Sequence, residues 1–108
     1  MINSKVMPGK HIAFAPSPSE DVVGYRMYYC SESDELTDES AFIDVGNRTE
    51  LDIPGEFDQL SQLDGLYKLA MVAYDEEGNF SESGPELVIP LDFVPPEPPG
   101  AIVITSLD

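Results

Sequence analysis

Tryptophan is absent from this chain, cysteine and histidine occur once each, and five Lys and Arg residues stand against 21 Asp and Glu. Each shortage removes a class of structure or function. With Cys30 alone, no intrachain disulfide can form, and the redox compartment stays unread. A formal charge of −16 sets up a field that repels phosphate, which excludes nucleic acid and anionic lipid headgroups as natural partners. No apolar run reaches the ~18 residues that cross a bilayer as a helix. The opening MINSKVMPGK lacks the apolar centre of a signal peptide, so none is expected in this chain. Zinc spacings, phosphate-cradling glycine loops, basic stripes and the EF-hand pattern are also missing.

What is present is globular. The 108 residues are 42% hydrophobic and 24% charged, a length that fits one domain burying about 60–70% of the surface it exposes when unfolded. Ten prolines and eight glycines favour many turns over long helices.

Side-chain alternation marks the strands. In KHIAFAP (10–16), Ile12 and Phe14 share one face and His11 and Ala13 the other. In VVGYRMYYC (22–30), Tyr25, Met27 and Tyr29 oppose Arg26, Tyr28 and Cys30, a period of two rich in strand-forming aromatics. SESDELTDES (31–40) has five acids and no aromatic residue and reads as a solvated loop. AFIDV (41–45) and TELDI (49–53) flank a Gly46-Asn47 turn, with Leu51 and Ile53 facing inward. A longer connection, PGEFDQLSQLDG (54–65), follows. In YKLAMVAY (67–74), Tyr67, Leu69, Met71 and Ala73 oppose Lys68, Ala70, Val72 and Tyr74. DEEGN turns that strand at Gly78, and PELVIPL (85–91) returns, with Pro90 suited to an edge. Short strands separated by turn signals at regular spacing predict an all-β, antiparallel two-sheet sandwich of about seven strands.

IAFAPSPSEDVVGYRMYY together with DGLYKLAMVAYDEEGNFSESGPELVIP resembles a fibronectin type III domain over most of residues 10–91. The second segment is also similar to bacterial immunoglobulin-like repeats of the same sandwich kind. The resemblance implies that Phe14 fills a core position where the family usually carries tryptophan. It also implies that Tyr67 is the tyrosine corner, its hydroxyl bonded back to nearby backbone. Phe14 and Tyr67 are therefore expected as core anchors. A first strand is expected from INSKVM (2–7), giving a sandwich over 1–94. PPEPPGAIVITSLD (95–108) reads as a proline-rich linker followed by an extra strand or tail. Arg-Gly-Asp, the adhesive tripeptide of some family members, is absent from the chain.

Chemistry-bearing constellations are few. Cys30 and His11 sit on separate predicted strands with no motif joining them. No metal site and no cofactor are expected: Asp75, Glu77 and Asn79 in one turn, with Glu20 and Asp21 from the loop at the same pole, are weak calcium candidates, and the turn reads as a plain charged one that binds calcium weakly if at all. Arg26, Tyr28, Lys68, Val72 and Tyr74 form an outward face that mixes cations with apolar groups on an acidic molecule, a candidate contact surface. The apolar run Ala101, Ile102, Val103, Ile104 is expected to pair with a sheet edge, in a strand-exchanged oligomer or an adjacent domain. The functional expectation is a non-catalytic spacer or protein-interaction module of a larger extracellular or cell-surface protein. An accessory domain of a polysaccharide-acting enzyme is the alternative, and a small hydrolase using surface carboxylates a third.

Overall fold

Alternating apolar residues close into sheets here because each strand has one face to hide. In the computed structural model, which describes residues 9–94, 97 and 99–105, six antiparallel strands form two sheets. The smaller pairs β1 (Lys10–Ala13) with β4 (Glu50–Ile53). The larger has the order β3 (Ala41–Gly46), β2 (Gly24–Ser31), β5 (Asp64–Tyr74), β6 (Leu87–Asp92). Six strands, rather than about seven, are therefore formed among the described residues. The candidate first strand at 2–7 lies outside them.

The chain alternates between layers. It leaves β1 for β2, turns back as β3, crosses to β4, and recrosses into the β5–β6 hairpin. The spine of the larger sheet is the β2–β5 pair, in register from Gly24↔Tyr74 to Ser31↔Tyr67. β6 lies against only the first part of β5, from Asp64↔Asp92 to Leu69↔Leu87. Beyond that point residues 80–84 follow β5 irregularly, held by Ser81 N–H to the Ala73 carbonyl and Gly84 N–H to the Met71 carbonyl, both 2.9 Å. The return of the hairpin thus begins later than the expected residue 85, and Pro90 does lie on the sheet's edge strand.

Both sheets feed one core. Tyr25, Met27 and Tyr29 from β2, Ile43 and Val45 from β3, Leu51 and Ile53 from β4, and Leu69 and Ala73 from β5 cluster with Leu91 of β6. Two further members come from outside the strands: Leu60, in the short 3₁₀ turn Asp58–Leu60, and Phe93, just past β6. Both are almost completely buried, as are Met27, Ile53 and Leu91. Phe14 and Tyr67, expected as anchors, are only partly buried and pack against the rim of this cluster. The Phe14 ring meets Tyr25 edge to face, 4.9 Å between centroids.

The tyrosine corner is not formed by Tyr67, whose hydroxyl bonds to no other described residue. It is the Tyr25 hydroxyl that ties back to backbone, accepting the Ser17 N–H at 3.0 Å. The Tyr29 hydroxyl accepts the Gln59 side-chain amide at 2.9 Å, so the connection that carries Leu60 is pinned to the sheet by a polar contact as well.

Candidate functional site

The outer face of the larger sheet departs most from its sequence reading. Lys68, Ala70, Val72 and Tyr74 of β5 stand beside Arg26, Tyr28 and Cys30 of β2, as alternation requires. Yet Tyr28 and Val72 are 9% exposed and Ala70 3%. The cover comes from rings outside those two strands. Phe42 of β3 lies 5.2 Å from the Tyr28 ring, and Phe80, past the hairpin turn, lies 5.9 Å from Tyr74. Between them the Arg26 guanidinium is stacked, 4.2 Å from the Phe42 centroid and 4.5 Å from that of Phe80, a cation–π sandwich.

Arg26 makes no ion pair with any described carboxylate. Its Nη1 donates a long 3.4 Å bond to the Tyr28 hydroxyl, and its buried Nε has no partner among the described residues. The nearby Asp44 is otherwise engaged, accepting the Tyr74 hydroxyl at 2.8 Å and the Gly46 N–H at 2.9 Å. Because the phenol donates to that carboxylate, the Tyr74 pKa is raised above its ordinary value, and burial adds to the effect. Around this centre lies an open cleft of about 500 Å³, lined by Tyr28, Leu36, Asp38, Ala70, Val72 and Phe80 beside Arg26. Lys68, by contrast, turns to the acidic loop, where its Nζ donates to the Asp34 carbonyl at 2.7 Å.

The hairpin tip builds itself from Asp75. One carboxylate oxygen accepts the backbone N–H of Glu77 and of Asn79 (3.0 and 2.9 Å), and the other accepts the Asn79 side-chain amide at 3.0 Å. These donors hold the Asp75 pKa below its usual range, the Asn79 backbone N–H first among them. Gly78 supplies the positive φ of 85° that the turn needs. Asp21 shares a cleft of about 170 Å³ with Asp75 and Asn79, so the two loops do meet at one pole. Glu20 and Glu77 are exposed. No group of three or more His, Cys, Asp or Glu among the described residues is arranged to hold a metal ion.

Cys30 and His11 are not brought into partnership. Burial pushes the Cys30 thiol up from its ordinary pKa, the opposite of an activated nucleophile. His11 belongs to the other sheet, where it is bracketed by the β4 carboxylates. Its Nδ1 lies 2.8 Å from Asp52 and its Nε2 2.9 Å from Glu50. The Asp52 contact first, and Glu50 second, raise its pKa. The Ser81 hydroxyl is occupied as well, accepting the Ala73 N–H and donating to the Glu82 carbonyl.

Alternation alone puts Arg26, Tyr28, Lys68, Val72 and Tyr74 on one face, but the outward position of Phe42 in AFIDV and the isolated position of Phe80 in GNFSE carry no sign that these rings cover it. No helix among the described residues is long and apolar enough to cross a membrane. Compared with protein-family models, with curated proteins and with solved structures, the chain matches none.

Proposed function

We propose that this chain is a non-catalytic sandwich module of the fibronectin type III kind, acting as a spacer or protein-interaction unit within a larger extracellular or cell-surface polypeptide. The observation that supports this reading is the strand order. A sheet ordered β3-β2-β5-β6 set against a β1–β4 pair corresponds to the C′-C-F-G sheet and the B–E pair of immunoglobulin-like sandwiches. The chemistry of the surface agrees with a binding role: the candidate nucleophile has a raised pKa and the candidate base is held by two carboxylates. The contact surface in this reading is the Arg26 cleft, where a cation with no carboxylate partner among the described residues sits among apolar side chains on a molecule of formal charge −16.

The test is a panel of chromogenic esters and glycosides together with gels cast with soluble polysaccharides. The purified chain is expected to turn over none of the substrates and to migrate unretarded. Retardation that an Arg26→Ala variant loses would favour the accessory domain of a polysaccharide-acting enzyme. Turnover abolished by His11→Ala or Cys30→Ala would overturn the non-catalytic reading.

A further inference from the structure

Among the described residues β1 is paired on one side only. Its Phe14-side hydrogen bonding runs to β4, with the Phe14 N–H donating to the Thr49 carbonyl at 3.0 Å. Alternation then turns the N–H groups of His11 and Ala13 to the opposite edge, where no described residue forms a strand. That edge borders a trench between the two layers. One part of it, about 170 Å³, is lined by Ile12, Ala13, Phe14, Met27, Met71 and Leu87. It continues into a cleft of about 550 Å³ that shares Phe14, Met71 and Pro85 and runs on to Gly84. Here the core opens to solvent: Ile12, Phe14 and Met71 pack against the buried cluster yet stay only partly buried, and Leu87 is 49% exposed.

The same chain carries a segment suited to such a trench. Ile102, Val103 and Ile104 are 99%, 73% and 77% exposed, more than any other large apolar residue described. As a strand, Ala101 to Ile104 would span ~13 Å, the length of the four-residue β1, and would place Ile102 and Ile104 on one face. The segment's own trench is badly placed for it. β6 ends at Asp92, opposite Asp64, whereas the trench lies beside Met71, a run of about 23 Å back along β5. The intervening sequence, FVPPEPPG, is of the proline-rich kind that extends rather than folds back, and its ~3.1 Å per residue would all be consumed by an immediate reversal.

We propose that a second copy of this chain lays its Ala101, Ile102, Val103 and Ile104 along the open edge of β1, with Ile102 and Ile104 entering the trench over Phe14 and Met71. The exchange is reciprocal, since each copy owns one trench and one donor segment. The two-stranded sheet gains a third strand, and two sets of exposed backbone and apolar groups are covered together.

Sedimentation velocity over a wide concentration range tests this on the full chain, beside a donor variant (Ile102→Asp with Ile104→Asp) and a trench variant (Leu87→Arg), each checked for an unchanged circular dichroism spectrum and melting temperature. The chain is expected to reach twice its monomer mass, each variant to weaken that association at least tenfold, and an equimolar mixture of the two variants to regain part of it, because one intact donor then meets one intact trench. The amides of His11 and Ala13 are expected to gain hydrogen-exchange protection as concentration rises. A chain that stays monomeric at millimolar concentration, or variants that associate as tightly as the parent, would overturn the proposal. So would a dimer in which those two amides remain unprotected.

Discussion

Tyr74 lays its ring across Gly24, its register partner on the neighbouring strand, so closely that a Cβ at Gly24 would stand 2.3 Å from the phenol oxygen. The glycine is what lets the ring cross β2 and reach Asp44 on β3. Three adjacent strands are thereby tied at one end of the sheet, next to the Arg26 sandwich. Gly24→Ala is expected to push the ring aside, break the Asp44 bond and let the Tyr74 pKa fall back toward its ordinary value of about 10. Ultraviolet titration of the tyrosines reads this directly. Tyr74→Phe, which keeps the ring, should cost about 0.5–1 kcal/mol by denaturant melt.

The buried centre sets a second expectation. Leu60→Ala and Phe93→Ala each remove a side chain that is at most 1% exposed, and each should cost about 3–5 kcal/mol. Phe14→Ala acts at the rim, where the environment can relax, and should cost about half as much. Equilibrium urea unfolding of the three variants checks the order; a Phe14 loss larger than both others would place the core elsewhere.

This ordering also marks how far the sequence was readable. Local alternation located β2, β3 and β4 and the inward set Tyr25, Met27, Tyr29, Leu51 and Ile53, because each signal lies within a few consecutive residues. Leu60 sits in a polar connection with no period, and Phe93 follows the last strand, so neither carries a local sign of burial. The covered outer face needed the register of β2 against β3 and the path of residues 80–84, both long-range facts. The His11 bracket likewise depends on the β1–β4 pairing, which joins residues some forty positions apart.

That bracket makes a pH prediction. His11 is the sole histidine, and its contacts with Asp52 and Glu50 raise its folded pKa. What the imidazolium adds to stability is fully present below the unfolded value of about 6.5 and is lost as pH rises through the higher folded value. The C2 proton titration followed by NMR should show a midpoint above 6.5, moving down in Asp52→Asn. An unshifted midpoint would mean that the two carboxylates do not hold the ring in solution.

Asp75 makes the opposite one. Its folded pKa is lowered, so its stabilisation is present above about 3.9 and disappears as pH falls through the folded value. Asp75→Ala should lower the melting temperature at pH 7 and remove part of the acid dependence. With both its oxygens already bonded to donors of the turn, millimolar calcium should leave the melting temperature of the parent chain unchanged.

The β1–β4 pair and the four-stranded sheet form one module around a shared core, with Ile53 and Leu51 packed among Met27, Leu60 and Phe93. Native-state hydrogen exchange at increasing denaturant, followed amide by amide, tests it most directly. The amides bonding β1 to β4 and those bonding β2 to β5 are expected to converge on one opening reaction with the free energy of global unfolding. If the β1–β4 amides instead open in a separate step while β2–β5 stays protected, the two sheets do not share a core and the module reading fails.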